Sequence, residues 1–471
     1  MTAQSVFAWA DDALGRSDAV ELSARMLKGE VSSGELVEAA IARAERVNPQ
    51  LNALVVDNYA SARVRVKSTD SAQAPLAGIP SFIKDNSDVA GLPTRHGSRA
   101  TPDRPAKKNG RFVEQFLATG LLCLGKTTTP EFGIPPTTES LLTGATGNPW
   151  HTGHSSGGSS GGSAALVTAG VVPIAHANDG GGSIRIPAAC CGLVGLKPSQ
   201  NRLVNYDGTS ALPINVVHDG VVTRTVRDTA LFMAEAEKHY RNPRLPALGH
   251  VREPGSTRYR IGFVRAAMTG LALDPEVNRV LEDTARHCAG LGHYVEEVAS
   301  PFDSGMADDF LDYYASLFFG MTRLGRVLMG PGFAARKVER FTDEFAARFR
   351  RRIWRYPLVL KRLRQARAVT ERLYQDYDLL LCPTLSAPPP KNGTLLDASQ
   401  GSEAIVQRML AFAPYTAVQN ITGEPAISLP LGRSAQGLPI SMQFAARYGN
   451  DASLLRLAFE LESAVGWSYG D

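Results

Sequence analysis

Residues 153–185 read GHSSGGSSGGSAALVTAGVVPIAHANDGGGSIR. Two glycine–serine clusters, at 153–163 and 180–183, enclose an apolar stretch. A Gly/Ser linker runs between polar segments. Here the clusters adjoin patterned elements, and the apolar run IPAACCGLVGLKPS follows the second. Ala165–Gly170 reads as the end of a helix that begins inside the first cluster, and 171–179 as the strand after it. The glycines therefore stand at turns between packed elements, where backbone must come close. Outward from this stretch the same alternation continues. GIPSFIKDN (78–86) reads as a strand ending in polar residues, RFVEQFLATG (111–120) as a helix and LLCLGKT (121–127) as a strand. DPEVNRVLEDTARHCAGLG (274–292) is a helix with Asp274 as N-cap, Pro275 in the first position and a glycine stop. HYVEEV (293–298), YDLLLCPT (377–384) and PAISLPLG (425–432) are further strands. Strands alternating with helices define an α/β fold with a mostly parallel or mixed sheet.

The first 50 residues predict two helices, because Asp18-x-x-Glu21 and Ser32-x-x-Glu35 resemble capping boxes. Gly29 can end the first helix and Asn48-Pro49 the second. Repeats and long linkers are missing. PALGHVREPGSTRYR (246–260) marks the seam between two halves of a single domain over 1–471.

With 471 residues and 44% hydrophobic composition the chain can bury a large core. A net charge of +4 gives no reason to expect nucleic acid. One stretch stands apart: residues 348–372 hold ten Arg or Lys and one acid, interleaved with apolar residues. Amphipathic helices with a solvated basic outer face are expected, an anionic membrane or partner surface being the alternative. The cysteines, Cys123, Cys190, Cys191, Cys288 and Cys382, are odd in number and form no C-x-x-C. That fits a reducing, cytoplasmic setting. The N-terminus lacks the pattern of a signal peptide, and no apolar run reaches membrane-spanning length.

The glycine–serine clusters admit several chemistries. G-x-x-x-x-G-K-[ST], the phosphate-binding pattern, is absent. GHSSG (153–157) and GGSSG (157–161) match G-x-S-x-G, but NPWHT precedes them in place of an apolar strand. The last histidine is His293, so the late histidine of a Ser-Asp-His order is missing. A lysine can serve as base instead. Lys84, at a strand end in FIKDN, becomes neutral near pH 7 if desolvated; the ordinary role of a lone strand lysine is a salt bridge. His151 with His154, or His176 with Asp179, make no metal motif, so neither a metal nor a cofactor is expected. His176 reads as a buried strand residue.

GIPSFIKDN, GGSSGGSAALVTAG, DGGGSIRIPAACCGLVGLKPS and TGEPAISLP together resemble the amidase signature family over nearly the whole chain. IAHANDGGGSIRIPA points toward its actinobacterial amidases, with hydrolases of nylon-oligomer cyclic dimers and amidase-type urethanases as cousins. The resemblance implies a central mixed, twisted sheet with helices on both faces, a signature core at about 60–235 and a C-terminal half at about 255–465 that completes the sheet and covers the pocket. It implies hydrolysis of C–N bonds by a Ser-cisSer-Lys triad: Ser183 as nucleophile, Ser159 as bridging serine after a cis peptide, Lys84 as base. Ser155 and Ser156 lie in the duplicated run, but the 24-residue spacing to Ser183 and the SAALVTAG that follows favour Ser159. The N–H groups of Gly180, Gly181, Gly182 and Ser183 would form the oxyanion hole. Ser160, Asp179 and Arg185 would support them, the last two as a pair. Phe132, Gly133 and Ile134 would line the acyl site, and the aromatic 300–345 region would cap the entrance. KPSQNR departs from the family's usual KPSxGR, which leaves the adjacent loop open. The expected substrates are small amides, with aryl amides, aryl esters and carbamates within reach, acted on by a monomer or homodimer. The alternatives are an amidotransferase A-type subunit working with a partner, or a specialised nylon-oligomer hydrolase.

Overall fold

The computed structural model describes residues 5–67, 74–467 and 469. Two helices open the fold, α1 (Ala19–Leu27) and α2 (Ser33–Leu51). The Asp18 carboxylate accepts from the N–H of Glu21, and Ser32 with Glu35 completes a capping box. The second helix does not stop at Asn48-Pro49 as expected; Pro49 lies inside its last turn. The reason is Asn48. Its carbonyl accepts from the N–H of Asn52 at 2.8 Å, and its side chain accepts from Ala53 and Leu54 at 2.8 and 2.9 Å. The helix end is thus satisfied three residues beyond the proline.

The strands fall into two main sheets. β1 (Leu54–Asp57), β2 (Pro80–Lys84) and β3 (Leu122–Thr127) form a small one in the order β1-β3-β2. The large sheet comprises β4 (Ile174–Asp179), β5 (Val194–Lys197), β6 (His218–Thr223), β7 (Arg260–Phe263), β8 (Tyr294–Glu297), β9 (Leu379–Pro383), β10 (Ala426–Arg433) and β11 (Pro439–Ala446). Its order is β8-β7-β9-β11-β10-β5-β6-β4. β7 runs parallel to β8 and β9, and the remaining pairs are antiparallel, so the sheet is mixed. Strands from both sides of the 246–260 seam share it. The edges β2 and β4 meet through side chains instead of a ladder. Ser81 Oγ donates to the carbonyl of Ile174 at 2.8 Å, and the Lys84 N–H donates to His176 Nδ1 at 3.2 Å.

Short helices leave the glycine clusters: α3 (Gly161–Thr168) after the first and α4 (Arg185–Cys191) after the second. Both are buried along their whole length. The helix α5 (Pro275–Gly290) has Asp274 as N-cap and proline at its start, as its sequence predicts. Three helices then form a cap: α6 (Ser304–Leu328), α7 (Arg340–Arg352) and α8 (Tyr356–Asp376). Here the reading of residues 348–372 as a solvated basic face holds for Arg350, Arg351, Lys361, Arg364 and Arg372, which are exposed, but four other arginines of the stretch are ion-paired. Arg348 pairs with Asp312 at 2.8 Å, Arg352 and Arg355 with Asp308 at 2.5 and 2.7 Å, and Arg362 with Asp309 at 2.5 Å. Those acids lie on α6, outside the stretch, so its own composition hides them. The arginines draw α7 and α8 onto the acidic start of α6.

Candidate active site

Lys84 ends β2 and is fully buried. Its Nζ lies 2.8 Å from Ser159 Oγ and donates to Asn178 Oδ1 at 2.7 Å. Among the described residues no carboxylate touches it. Burial pushes its pKa from 10.5 down to about 7, with Asp219 and then Asp179 pulling the other way. The neighbouring strand lysine, Lys126, has the ordinary arrangement: its Nζ meets Asp85 at 2.8 Å, both side chains buried.

Ser159 follows a cis Gly158–Ser159 peptide and is buried just ahead of α3. Ser160 Oγ donates to the carbonyl of Asn178 at 3.3 Å, so it braces that residue from the backbone side. His176 on β4 is buried, as its strand position suggested. Because its Nδ1 accepts from the Lys84 N–H, its Nε2 carries the proton and donates to Asp219 Oδ1 at 3.1 Å. This places Asp219 of β6 near the lysine.

The second cluster turns from β4 into α4. Burial alone would raise the Asp179 carboxyl. The Arg185 guanidinium, bonded to both carboxylate oxygens at 2.9 Å, and Asn420 hold it well below its usual range. Arg185 is anchored in turn by Gln443 at 2.6 Å, Gln419 at 3.1 Å and Asn420 at 2.7 Å. Gln419 and Asn420 belong to α9 (Ala417–Thr422), and Thr416 just before it donates to the Gly181 carbonyl at 2.6 Å.

One of the four expected oxyanion donors is already committed. The Gly182 N–H donates to Asp179 Oδ1 at 2.7 Å. The N–H groups of Gly180, Gly181 and Ser183 have no partner among the described residues, nor does Ser183 Oγ. Gly182 serves the loop's shape instead: its φ is +132°, and a Cβ there would meet Thr416 Oγ1 at 2.3 Å.

Of the three expected acyl-site residues, Gly133 stands against the Ser159 hydroxyl. A Cβ on it would come within 3.1 Å of Ser159 Oγ. Phe132 and Ile134 belong to an apolar cluster with Leu311, Phe318 and Phe333 beneath the cap, against which Tyr314 also packs. The aromatic rings nearest the glycine loop come from α6. Phe310 lies 3.1 Å from the Cβ position of Gly181, and Tyr314 3.8 Å from that of Gly180. The Tyr314 hydroxyl donates to the Gly133 carbonyl at 3.3 Å. Phe310 and Tyr314 fall within the aromatic 300–345 region expected at the entrance, whereas Asn178, Asp219, Thr416, Gln419 and Asn420 escaped sequence reasoning. Of the residues missed, Asn178 carried a local signal, since it alternates with His176 along a strand that ends at the glycine turn.

A buried lysine without a counter-ion, a serine in its reach and a glycine turn with unengaged N–H groups make the site of an amide hydrolase. Residues 35–455 match the Amidase family, and the chain belongs to it. A Mycobacterium leprae protein that bears the name amidase AmiC is 44% identical over 466 residues, covering 99% of this chain and 98% of its own. The structure of 6-aminohexanoate cyclic dimer hydrolase complexed with substrate superposes with a TM-score of 0.86 at 31% identity, covering 96% of this chain and 98% of that one. A bacterial aryl acylamidase of the amidase signature family gives 0.82 at 27% identity, covering 96% and 97%.

Proposed function

We propose that this amidase acts as a single catalytic domain on small amides through an acyl-enzyme. In this reading neutral Lys84 takes the Ser159 proton as Ser159 takes that of Ser183, and Ser183 Oγ bonds to the substrate carbonyl carbon. The N–H groups of Gly180, Gly181 and Ser183 stabilise the resulting oxyanion. When the intermediate collapses the C–N bond breaks, and the proton returns from Lys84 through Ser159 to the leaving amine. Water repeats the path and frees Ser183. The observation that carries the reading is the 2.8 Å approach of a fully buried Lys84, with no carboxylate in contact, to Ser159.

Phe310 and Tyr314 beside the glycine loop favour planar or apolar substrates, and likeness to an aryl acylamidase agrees with that. Aryl esters and carbamates share the tetrahedral chemistry, so urethane cleavage falls within the proposal. Likeness to a hydrolase of a cyclic amide dimer supports the nylon-oligomer reading as the second choice. The test is hydrolysis by the purified chain of a nitroanilide, a nitrophenyl ester and an aryl carbamate, beside Ser183→Ala. Cleavage of the anilide by wild type and its loss in the variant are expected. Full activity in Ser183→Ala would overturn the nucleophile assignment, and inactivity of the chain until a second subunit is added would favour the amidotransferase reading.

A further inference from the structure

We propose that Asn178 is a positioning residue for Lys84, its neutral amide oxygen aiming the amine's lone pair at Ser159 without binding it as an ion pair. The inference rests on the Lys84–Ser159–Ser183 reading above. A neutral primary amine has two N–H bonds and one lone pair. If Asn178 Oδ1 takes one N–H at 2.7 Å, rotation about the Cε–Nζ bond is restricted and the lone pair can face Ser159 Oγ, 2.8 Å away. After the proton arrives the ammonium still donates to Asn178, so the nitrogen keeps its place in both protonation states.

The neutrality of the partner matters as much as its position. The charged groups facing Lys84 come from two strands. Asp179 lies on β4 and Asp219 on β6, the latter bound to His176; both act on Lys84 without a hydrogen bond to it. Asn178 is the described side chain other than Ser159 that touches Nζ. A carboxylate there would make the short buried ion pair that Lys126 makes with Asp85. Such a pair favours the ammonium, which cannot accept a proton from Ser159. Asn178 is itself held: its carbonyl accepts from Ser160 Oγ, and it sits opposite Asp219 in the β4–β6 ladder. This gives Ser160 an indirect role in keeping the amide in place.

The experiment measures the rate at which a fluorophosphonate modifies Ser183, read by intact mass across pH 5–10, in wild type, Asn178→Asp, Asn178→Ala and Asn178→Ser, with thermal melts of each. Wild type should show a rate that rises with pH through a single limb. In Asn178→Asp that limb should move up by about one pH unit or more, so the rate falls about fivefold or more at pH 7, about tenfold well below both limbs, and recovers at high pH. Asn178→Ala should be slower at every pH with its limb little moved, and Asn178→Ser, which keeps a neutral acceptor, should regain part of the loss. A purely structural role would lower all rates and melting temperatures together without shifting the limb. An Asn178→Asp limb that coincides with wild type overturns the inference, and so do Ala and Ser variants that react like wild type. Absence of any Ser183 modification in wild type instead removes the nucleophile assignment, and this inference with it.

Discussion

Lys84 and Lys126 lie in the last two positions of neighbouring strands of one small sheet, yet of the two Lys126 alone has a carboxylate in contact. Because the folded pKa of Lys84 is lowered from 10.5 to about 7, kcat/KM for an anilide should rise as pH climbs through about 7 and then level off. Asp219 opposes that lowering. Asp219→Asn should therefore move the acidic limb to lower pH, opposite to the shift expected of Asn178→Asp; a pH–rate profile of the variant checks it. An unmoved limb would mean that the field of Asp219 does not reach the amine.

The glycine loop keeps its shape because α4 and α9 hold it from outside. Arg185 carries most of this support, with Asp179 on one side and Gln419, Asn420 and Gln443 on the other. Removing the guanidinium leaves a fully buried carboxylate unpaired, which costs about 3–5 kcal/mol. Arg185→Met should lose stability on that scale in urea unfolding, and its Ser183-dependent hydrolysis should fall as the loop relaxes. Stability close to wild type would show that Asp179 is neutralised some other way. The sequence made the Asp179–Arg185 pair legible because the two residues flank one short turn. It could not show that Gly182 surrenders its N–H to the same aspartate, since that depends on which way the carboxylate turns.

At the scale of the molecule, two hydrogen-bonded joints between the cap and the residues around the site stand out beside the apolar packing. Tyr314 reaches the Gly133 carbonyl, and a pair of half-buried or buried acids joins the other end. Glu131 accepts from the N–H of Glu339 at 2.8 Å, and Glu339 accepts from the N–H of Leu141 at 2.6 Å. Burial, then the charge of Glu131, raises Glu339 from 4.5 to about 7. Between those values the folded protein holds a proton on Glu339 that the unfolded chain has released, so this group's contribution to stability falls as pH rises from 4.5 to 7. The melting temperature of Glu339→Gln should accordingly drop less than that of wild type between pH 5 and pH 8. An identical drop in both would rule out the acid pair as a pH-dependent joint.

Local order was readable in the chain: capping residues start α1, α2 and α5, Gly and Pro punctuate the turns, and the apolar periods separate strands from helices. These features act over a few residues, so sequence alone determines them. The motifs likewise named Lys84, Ser159 and Ser183 through resemblance. What only the tertiary structure decided involves groups far apart in the chain. Asn178 meets Lys84 across 94 positions, and Asp219 reaches it through His176. Thr416, Gln419 and Asn420 arrive at the glycine loop from more than 230 positions away. Four arginines of 348–372 find their partners on an earlier helix. Hydrogen bonds and ion pairs depend on distances of a few ångströms. Those distances are set by how the two sheets and the cap pack together, and no local pattern in the chain encodes that packing.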